Sequence, residues 1–253
     1  MENLDFWEFA LSANIQKSKW ILLLKSKVEN LVKNSKGIIT TIYSNNEITL
    51  LVGLSTAQKM QIKPVMLSII TDIIVDVYKA EYIVKQFDFK VSEDLLFGAF
   101  VKALCVFDID VDRQIIYQKL LPYESINLDS FFDFKLKFLK QKWDDLVALA
   151  NDNYIYLLSN NNFAELIKFL ISNLESKENI VSVQYLDSRY KLEANGKEIK
   201  MPLACDNCDD QNLIESLIYF CPKKIVLDNS RLWDNGVVDT INLLFENRVE
   251  IIK

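Results

Sequence analysis

Histidine is absent from this 253-residue chain. That removes the commonest general base, the commonest metal ligand and the usual switch near neutral pH. Ser-His-Asp and Cys-His catalysis and every His-containing zinc site go with it. Glycine is scarce: five residues, at 37, 53, 98, 196 and 236. They stand too far apart to form a G-x-x-x-x-G-K-[ST] or G-x-G-x-x-G phosphate loop. Only four of the 29 basic residues are arginine (Arg113, Arg189, Arg231 and Arg248), so the planar fork that grips phosphate is rare. No run reaches eighteen uncharged apolar residues. The closest, Pro64 to Val84, is interrupted by Asp72, Asp76, Lys79 and Glu81, and no transmembrane segment is expected. Residues 1–12 hold three acids and no Lys or Arg, the reverse of a secretory leader. The expectation is a cytoplasmic protein whose four cysteines are reduced thiols.

Half of the residues are hydrophobic and the net charge is -6. The first is ample for a core, and the second is unlike a general nucleic-acid binder. Residues 17–36 suit a helix closed by Gly37. Ile38 to Tyr43 and Ile48 to Val52, around Asn45-Asn46, read as a hairpin. Pro64 opens an amphipathic helix with Met66, Ile69, Ile70, Ile73, Ile74, Val77 and Tyr78 on one face and Asp72, Asp76 and Lys79 opposite. Ser92 is placed to cap a nearly all-apolar helix. A helix from about Asp112 to Leu121 stops at Pro122. Asn127 to Leu158 contains neither Pro nor Gly and reads as one long helix. Asn162 with Glu165 has capping spacing for Phe163 to Leu174. Beyond Lys177 come two strands with an Asn195-Gly196 turn and a helix from Asn212 to Phe220. A β-α-β unit closes the chain: Lys224 to Leu227, Gly236 to Phe245 and Val249 to Ile252. The predicted class is α+β. A helical middle (64–176) is flanked by an N-terminal α-β-β segment (1–63) and a C-terminal β-β-α-β-α-β segment (177–253), and the flanks are free to share one sheet.

Three segments together resemble a known family. They are LLPYESINLDSFFDFKLKFL (120–139), the strand pair ending in NGKEIK (195–200), and LIYFCPKKIVLDN with the closing INLLFENRVEII. In this order they are similar to the YtxC-like family of sporulation proteins from spore-forming bacteria, and the run IITDIIVDVYKAEYI (69–83) resembles that family's earlier helix. The resemblance implies a connection with sporulation. It assigns no catalytic residue and no cofactor. Unlike family members that end in a cysteine-containing segment, this sequence has no cysteine after Cys221.

Several constellations carry potential chemistry. Asp108 and Asp110 form a D-x-D after an apolar run, as in metal-dependent phosphohydrolases where the first Asp is the nucleophile and the second an acid/base. The run before them reads as helix, and capping of the next helix explains the same residues. Cys205 and Cys208 form a C-x-x-C that, with Cys221 and Cys105, would be needed for a four-thiolate metal site; a polar loop whose Asp209 or Asp210 caps a helix is the bland alternative. Asp72 and Asp76, one turn apart, could pair as carboxylates but sit on the expected solvated face. Lys17, Lys19, Lys25, Lys27, Lys33 and Lys36, with Trp7 and Trp20 nearby, are the residues through which nucleic acid or an anionic membrane would be met. No nucleophile stands with a recognisable base. The expected role is therefore binding or scaffolding with a protein partner and no cofactor, with phosphohydrolysis by Asp108 and Asp110 as the alternative.

Overall fold

The computed structural model describes residues 6–87, 95–158, 163–203, 209–228 and 235–252. The chain forms two compact units, Met1–Tyr78 with Asp110–Gln141 and Lys79–Ile109 with Lys142–Lys253. Their boundaries fall at 78/79, 109/110 and 141/142. The two flanks build separate sheets, so among the described residues they do not share one.

The first unit centres on a sheet of order β2-β3-β1-β4, made by β2 (Ile38–Tyr43), β3 (Glu47–Ser55), β1 (Phe6–Asn14) and β4 (Ser125–Asn127). β1 and β2 flank β3 antiparallel, and β4 adds to β1 in parallel. β1 alternates strictly. Trp7, Phe9, Leu11 and Ala13 are buried, and so are Ile48, Leu50, Val52 and Leu54 of β3. Against this face packs helix α1 (Ser18–Asn34), whose Ile21, Leu24, Val28 and Val32 recur at helical spacing and are buried. α1 ends at Ser35, and Lys36 takes the left-handed conformation at φ 54°. Gly37 is needed for a different reason: a Cβ there would meet Leu54 Cδ2 at 2.2 Å and the Gly53 carbonyl at 2.9 Å.

Helix α2 (Thr56–Ile73) starts before the expected point, and Pro64 lies inside it. Pro64 is on the exposed side, where solvent meets the Met60 carbonyl that a proline cannot reach. A π-helical turn follows (Ile74–Tyr78), then α3 (Lys79–Val84). The extra residue in a π turn advances the helix face. That is why Lys79, expected on the wet side, is fully buried. The expected long helix from Asn127 is two helices. Asn127 ends β4, and its side chain accepts from the Ser130 N–H at 2.9 Å to cap α6 (Leu128–Lys135). Leu136 breaks the path at φ -105°, ψ 18°. Helix α7 (Lys137–Leu158) follows it, and α5 (Ile109–Leu120) precedes β4 in sequence.

The second unit holds a five-stranded sheet of order β7-β6-β5-β8-β9. β5 (Ile180–Leu186), β6 (Arg189–Ala194) and β7 (Lys197–Ile199) form a meander, one strand more than the sequence suggested. Both of its turns are two-residue turns with positive φ: Asp187 and Ser188 at 51° and 60°, Asn195 and Gly196 at 54° and 72°. That is the twist-matched turn of a tight hairpin. β8 (Lys224–Asp228) lies parallel to β5, and β9 (Val249–Ile252) parallel to β8, with α10 (Asn235–Phe245) between them in sequence. Helix α9 (Asp210–Phe220) is capped by Asp209, which accepts from the Asn212 N–H at 2.8 Å, and it ends at a left-handed Cys221. It packs closely on α4 (Leu95–Val106), where a Cβ on Gly98 would meet Gln211 Nε2 at 1.9 Å. Helix α8 (Phe163–Ser172) buries Leu166, Ile167, Leu170 and Ile171, each contributing roughly 1.5–3 kcal/mol. The caps expected at Ser92 and Asn162 lie outside the described residues.

Lys79 closes the end of α4. Its ammonium donates to the Cys105 carbonyl at 2.9 Å and the Phe107 carbonyl at 3.3 Å, with the Trp143 ring 5.4 Å away. The last carbonyls of a helix lack intrahelical partners and carry partial negative charge, so a buried cation is stabilised there. A Lys79→Met substitution should cost about 1–3 kcal/mol by stranding buried acceptors. It would be read as a lower urea midpoint with an unchanged slope, and an unaltered midpoint would remove this role.

Candidate functional site

The outward face of the first sheet is the candidate site. Alternation that buries Trp7 and Phe9 must turn Phe6, Glu8 and Ala10 outward. Register then sets rows across the sheet. Glu8 pairs with Gly53, and Gly53 with Ile38; Ser125 pairs with Ala10, Ala10 with Leu51, and Leu51 with Thr40. Gly53 leaves a gap in the first row, and the Phe6 ring leans over it: a Cβ on Gly53 would sit 3.1 Å from Phe6 Cε1. The result is an open groove of about 470 Å³, walled by Phe6, Ile38, Leu51, Glu8 and Glu124. Phe6 and Ile38 are 60% and 65% exposed. Glu8 is exposed and has no hydrogen-bond or ion-pair partner among the described residues.

Glu124 is held differently. Trp7 Nε1 donates to Oε2 at 2.6 Å, and the ammonium groups of Lys59 and Lys63 reach Oε1 at 2.7 and 2.9 Å. Lys63 also donates to the Leu121 carbonyl at 2.8 Å, and the Ala10 N–H to the Glu124 carbonyl at 2.9 Å. The LPYE segment (121–124) is thereby fastened to β1 and α2. Partial burial works against the charged carboxyl, but the hydrogen bonds from Lys59, Lys63 and Trp7 together outweigh it and hold Glu124 below the ordinary glutamate range. Trp7 is buried rather than available beside the lysines at 17–36.

A second polar cluster occupies the same unit. Arg113 Nε and Nη2 approach Asp72 Oδ1 at 3.0 and 2.9 Å, and Arg113 Nη1 lies 3.6 Å from Asp110. Asp72 is half-buried rather than on the solvated face expected. Burial is the largest influence and raises its carboxyl, Arg113 opposes this, and Asp76 adds to the rise. At the π turn, the Tyr78 hydroxyl donates to Asp129 Oδ1 at 3.0 Å, and Lys17 Nζ stands 4.2 Å from the Tyr78 ring centre.

Asp108 is exposed in the turn after α4, at φ 54°, and Asp110 is exposed in the first turn of α5. The element before them is a helix, not the strand a D-x-D nucleophile uses. Cys205 and Cys208 lie outside the described residues. Cys221 is buried, with its Sγ 3.5 Å from the Ile171 carbonyl and 3.4 Å from Arg248 Nη1. Cys105 is buried within α4. Among the described residues no three His, Cys, Asp or Glu side chains are grouped to hold a metal. Among the lysines, Lys33 pairs with Glu29 at 2.7 Å and Lys19 lies 4.4 Å from the Trp20 ring centre. Lys19, Lys25, Lys27 and Lys33 are distributed around the exposed circumference of α1 rather than along one stripe. No helix among the described residues is long and apolar enough to cross a membrane.

A depressed carboxyl stabilises the fold above the ordinary glutamate range, and that stability is lost as pH falls through the lowered value. Glu124→Gln should therefore lower the urea midpoint at neutral pH and flatten the loss of stability in acid below the ordinary glutamate range. Parallel acid profiles of the two proteins would show that the carboxylate is not the group concerned.

The profile of the YtxC-like family matches residues 105–250. Of the groove residues, Glu124 and Ser125 fall within that span. No curated protein and no solved structure matches the chain. With the fastened LPYE segment and the closing β8-α10-β9 unit as far as Glu250 inside a match that covers more than half of the sequence, the chain belongs to the YtxC-like family.

Proposed function

We propose that this protein is a non-enzymatic binding protein of sporulating cells, acting in the cytoplasm, and that its groove receives an apolar segment of a protein partner. The observation that carries this reading is the groove over Gly53. It offers apolar walls, a gap where one side chain is missing, and the Glu8 carboxylate with no partner among the described residues. Apolar surface next to a solvated charge is the composition of a recognition site, the apolar part giving affinity and the charge orientation. A partner that fits presents apolar side chains to Phe6, Leu51 and Ile38 and a Lys or Arg to Glu8. The link with sporulation comes from the family. The alternative, phosphohydrolysis by Asp108 and Asp110, has less support, because both stand exposed around a helix start.

Gly53→Val fills the groove at a position where a strand accepts a β-branched residue and where the Cβ would meet the Phe6 ring alone. In a deletion strain induced to sporulate, the wild-type gene should restore heat-resistant spores. Gly53→Val and Glu8→Lys, expressed to the same level and with unchanged thermal unfolding, should restore at least about tenfold fewer, the effect of losing roughly 1.4 kcal/mol of binding. Full restoration by both variants would contradict the groove as the working surface. A deletion strain that sporulates normally would contradict the sporulation role.

A further inference from the structure

We propose that the free edge of the first sheet, strand β2, pairs antiparallel with β2 of a second copy of this chain. This concerns the edge of the sheet, whose Ile38 and Thr40 also line the groove, and it stands without the sporulation role. β2 is the terminal strand in the order β2-β3-β1-β4 and is paired with β3 alone among the described residues. An edge strand exposes a row of backbone donors and acceptors, and natural proteins protect such edges with lysines, prolines, bulges or a covering element. β2 has none of the residues that would do this: it reads IITTIY, without charge, proline or glycine. Its pairing with β3 runs without interruption from Ile38 to Tyr43, so no bulge turns it away. Ile38, Ile42 and Tyr43 are exposed.

The sequence of the strand selects the occupant. A two-fold axis normal to a sheet brings outward side chains against outward side chains, so the two residue numbers in each pair sum to an even value. The outward row of β2 is Ile38, Thr40 and Ile42, which reads the same in both directions about Thr40. Centred there, Ile38 meets the partner's Ile42, Thr40 meets the partner's Thr40, and Ile42 meets the partner's Ile38. Two apolar pairs and one Thr pair are the combinations that stabilise cross-strand contacts. Centred on Thr41 instead, each Thr40 would face the partner's Ile42 and the match would be lost. The nearest charge also fits a second copy. Lys36, just before the strand, falls opposite the partner's Ser44 and not opposite a like charge. The joined sheet would have eight strands, and the apolar outward row would continue across the axis.

A six-residue ladder is a small interface, so the dissociation constant is expected on the order of 10 μM. Sedimentation of the full chain over a concentration series tests this. The wild type should pass from monomer to dimer across that range, and Ile38→Lys and Ile42→Glu should each raise the midpoint at least about tenfold. An equimolar mixture of the two variants should dimerise again, because the charged Lys and Glu then face each other and the second pair stays Ile against Ile. Backbone hydrogen exchange over residues 38–43, slower in the dimer, gives a readout that needs no substitution. A wild type that stays monomeric at about ten times that concentration would overturn the proposal. So would variants that dimerise as the wild type does, or a mixture that stays monomeric.

Discussion

A strand has two faces, and in β1 and β3 the alternation of the sequence commits one of them to the core. Trp7, Phe9, Leu11 and Ala13, opposite Leu54, Val52, Leu50 and Ile48, leave no freedom of register, since a slip of one residue would expose all of them. The other face is then fixed without being selected for packing. Phe6, Glu8, Ala10, Leu51 and Gly53 arrive together on it because the inward residues demand it. The groove is the reverse side of the core, and its one gap comes from the one glycine in those two strands.

Glu124 extends that constraint to a segment more than a hundred residues away in sequence. Its carboxylate gathers Trp7 from β1 with Lys59 and Lys63 from α2, while its carbonyl takes the Ala10 N–H. An ion pair on the surface contributes little. Here two ammonium groups, an indole and a backbone donor converge on one residue, so its loss would leave the buried Lys63 and the Trp7 Nε1 short of acceptors. The family's LPYE segment is therefore a fastening for β4. The same logic of buried cations meeting carbonyls recurs in the second unit, where Lys79 closes α4.

Much of this was legible in the sequence. The hairpin at 38–55, the amphipathic α1, and the closing β8-α10-β9 unit follow from periodicity and from turn residues whose effects are local. Other features were not. β1 shows as alternation in FWEFALSAN, though the acids of that segment draw the eye first, and Gly53 inside a strand is a sign of close approach that the Phe6 ring bears out. Pro64 misled because proline usually opens a helix, and on an exposed side it can sit within one. The π turn at Ile74–Tyr78, the break at Leu136 and the fate of Lys79 carry no local signature. They are settled by which residues the core of each unit takes in. Of the sites, the sequence singled out Trp7 for the wrong environment and Asp72 for a wet face. Phe6, Glu8 and Gly53 were not singled out at all.

The most direct measurement of the groove's role is photocrosslinking in sporulating cells. A photoreactive phenylalanine analogue would replace Phe6 at the groove, and in a second strain Phe169, which is 64% exposed in the other unit. A groove that receives a partner gives a single protein adduct from position 6 that is absent from position 169 and lost when Glu8 is changed to Lys, with the linked peptide carrying apolar residues beside a Lys or Arg. Identical adducts from both positions, or none from position 6, would contradict it.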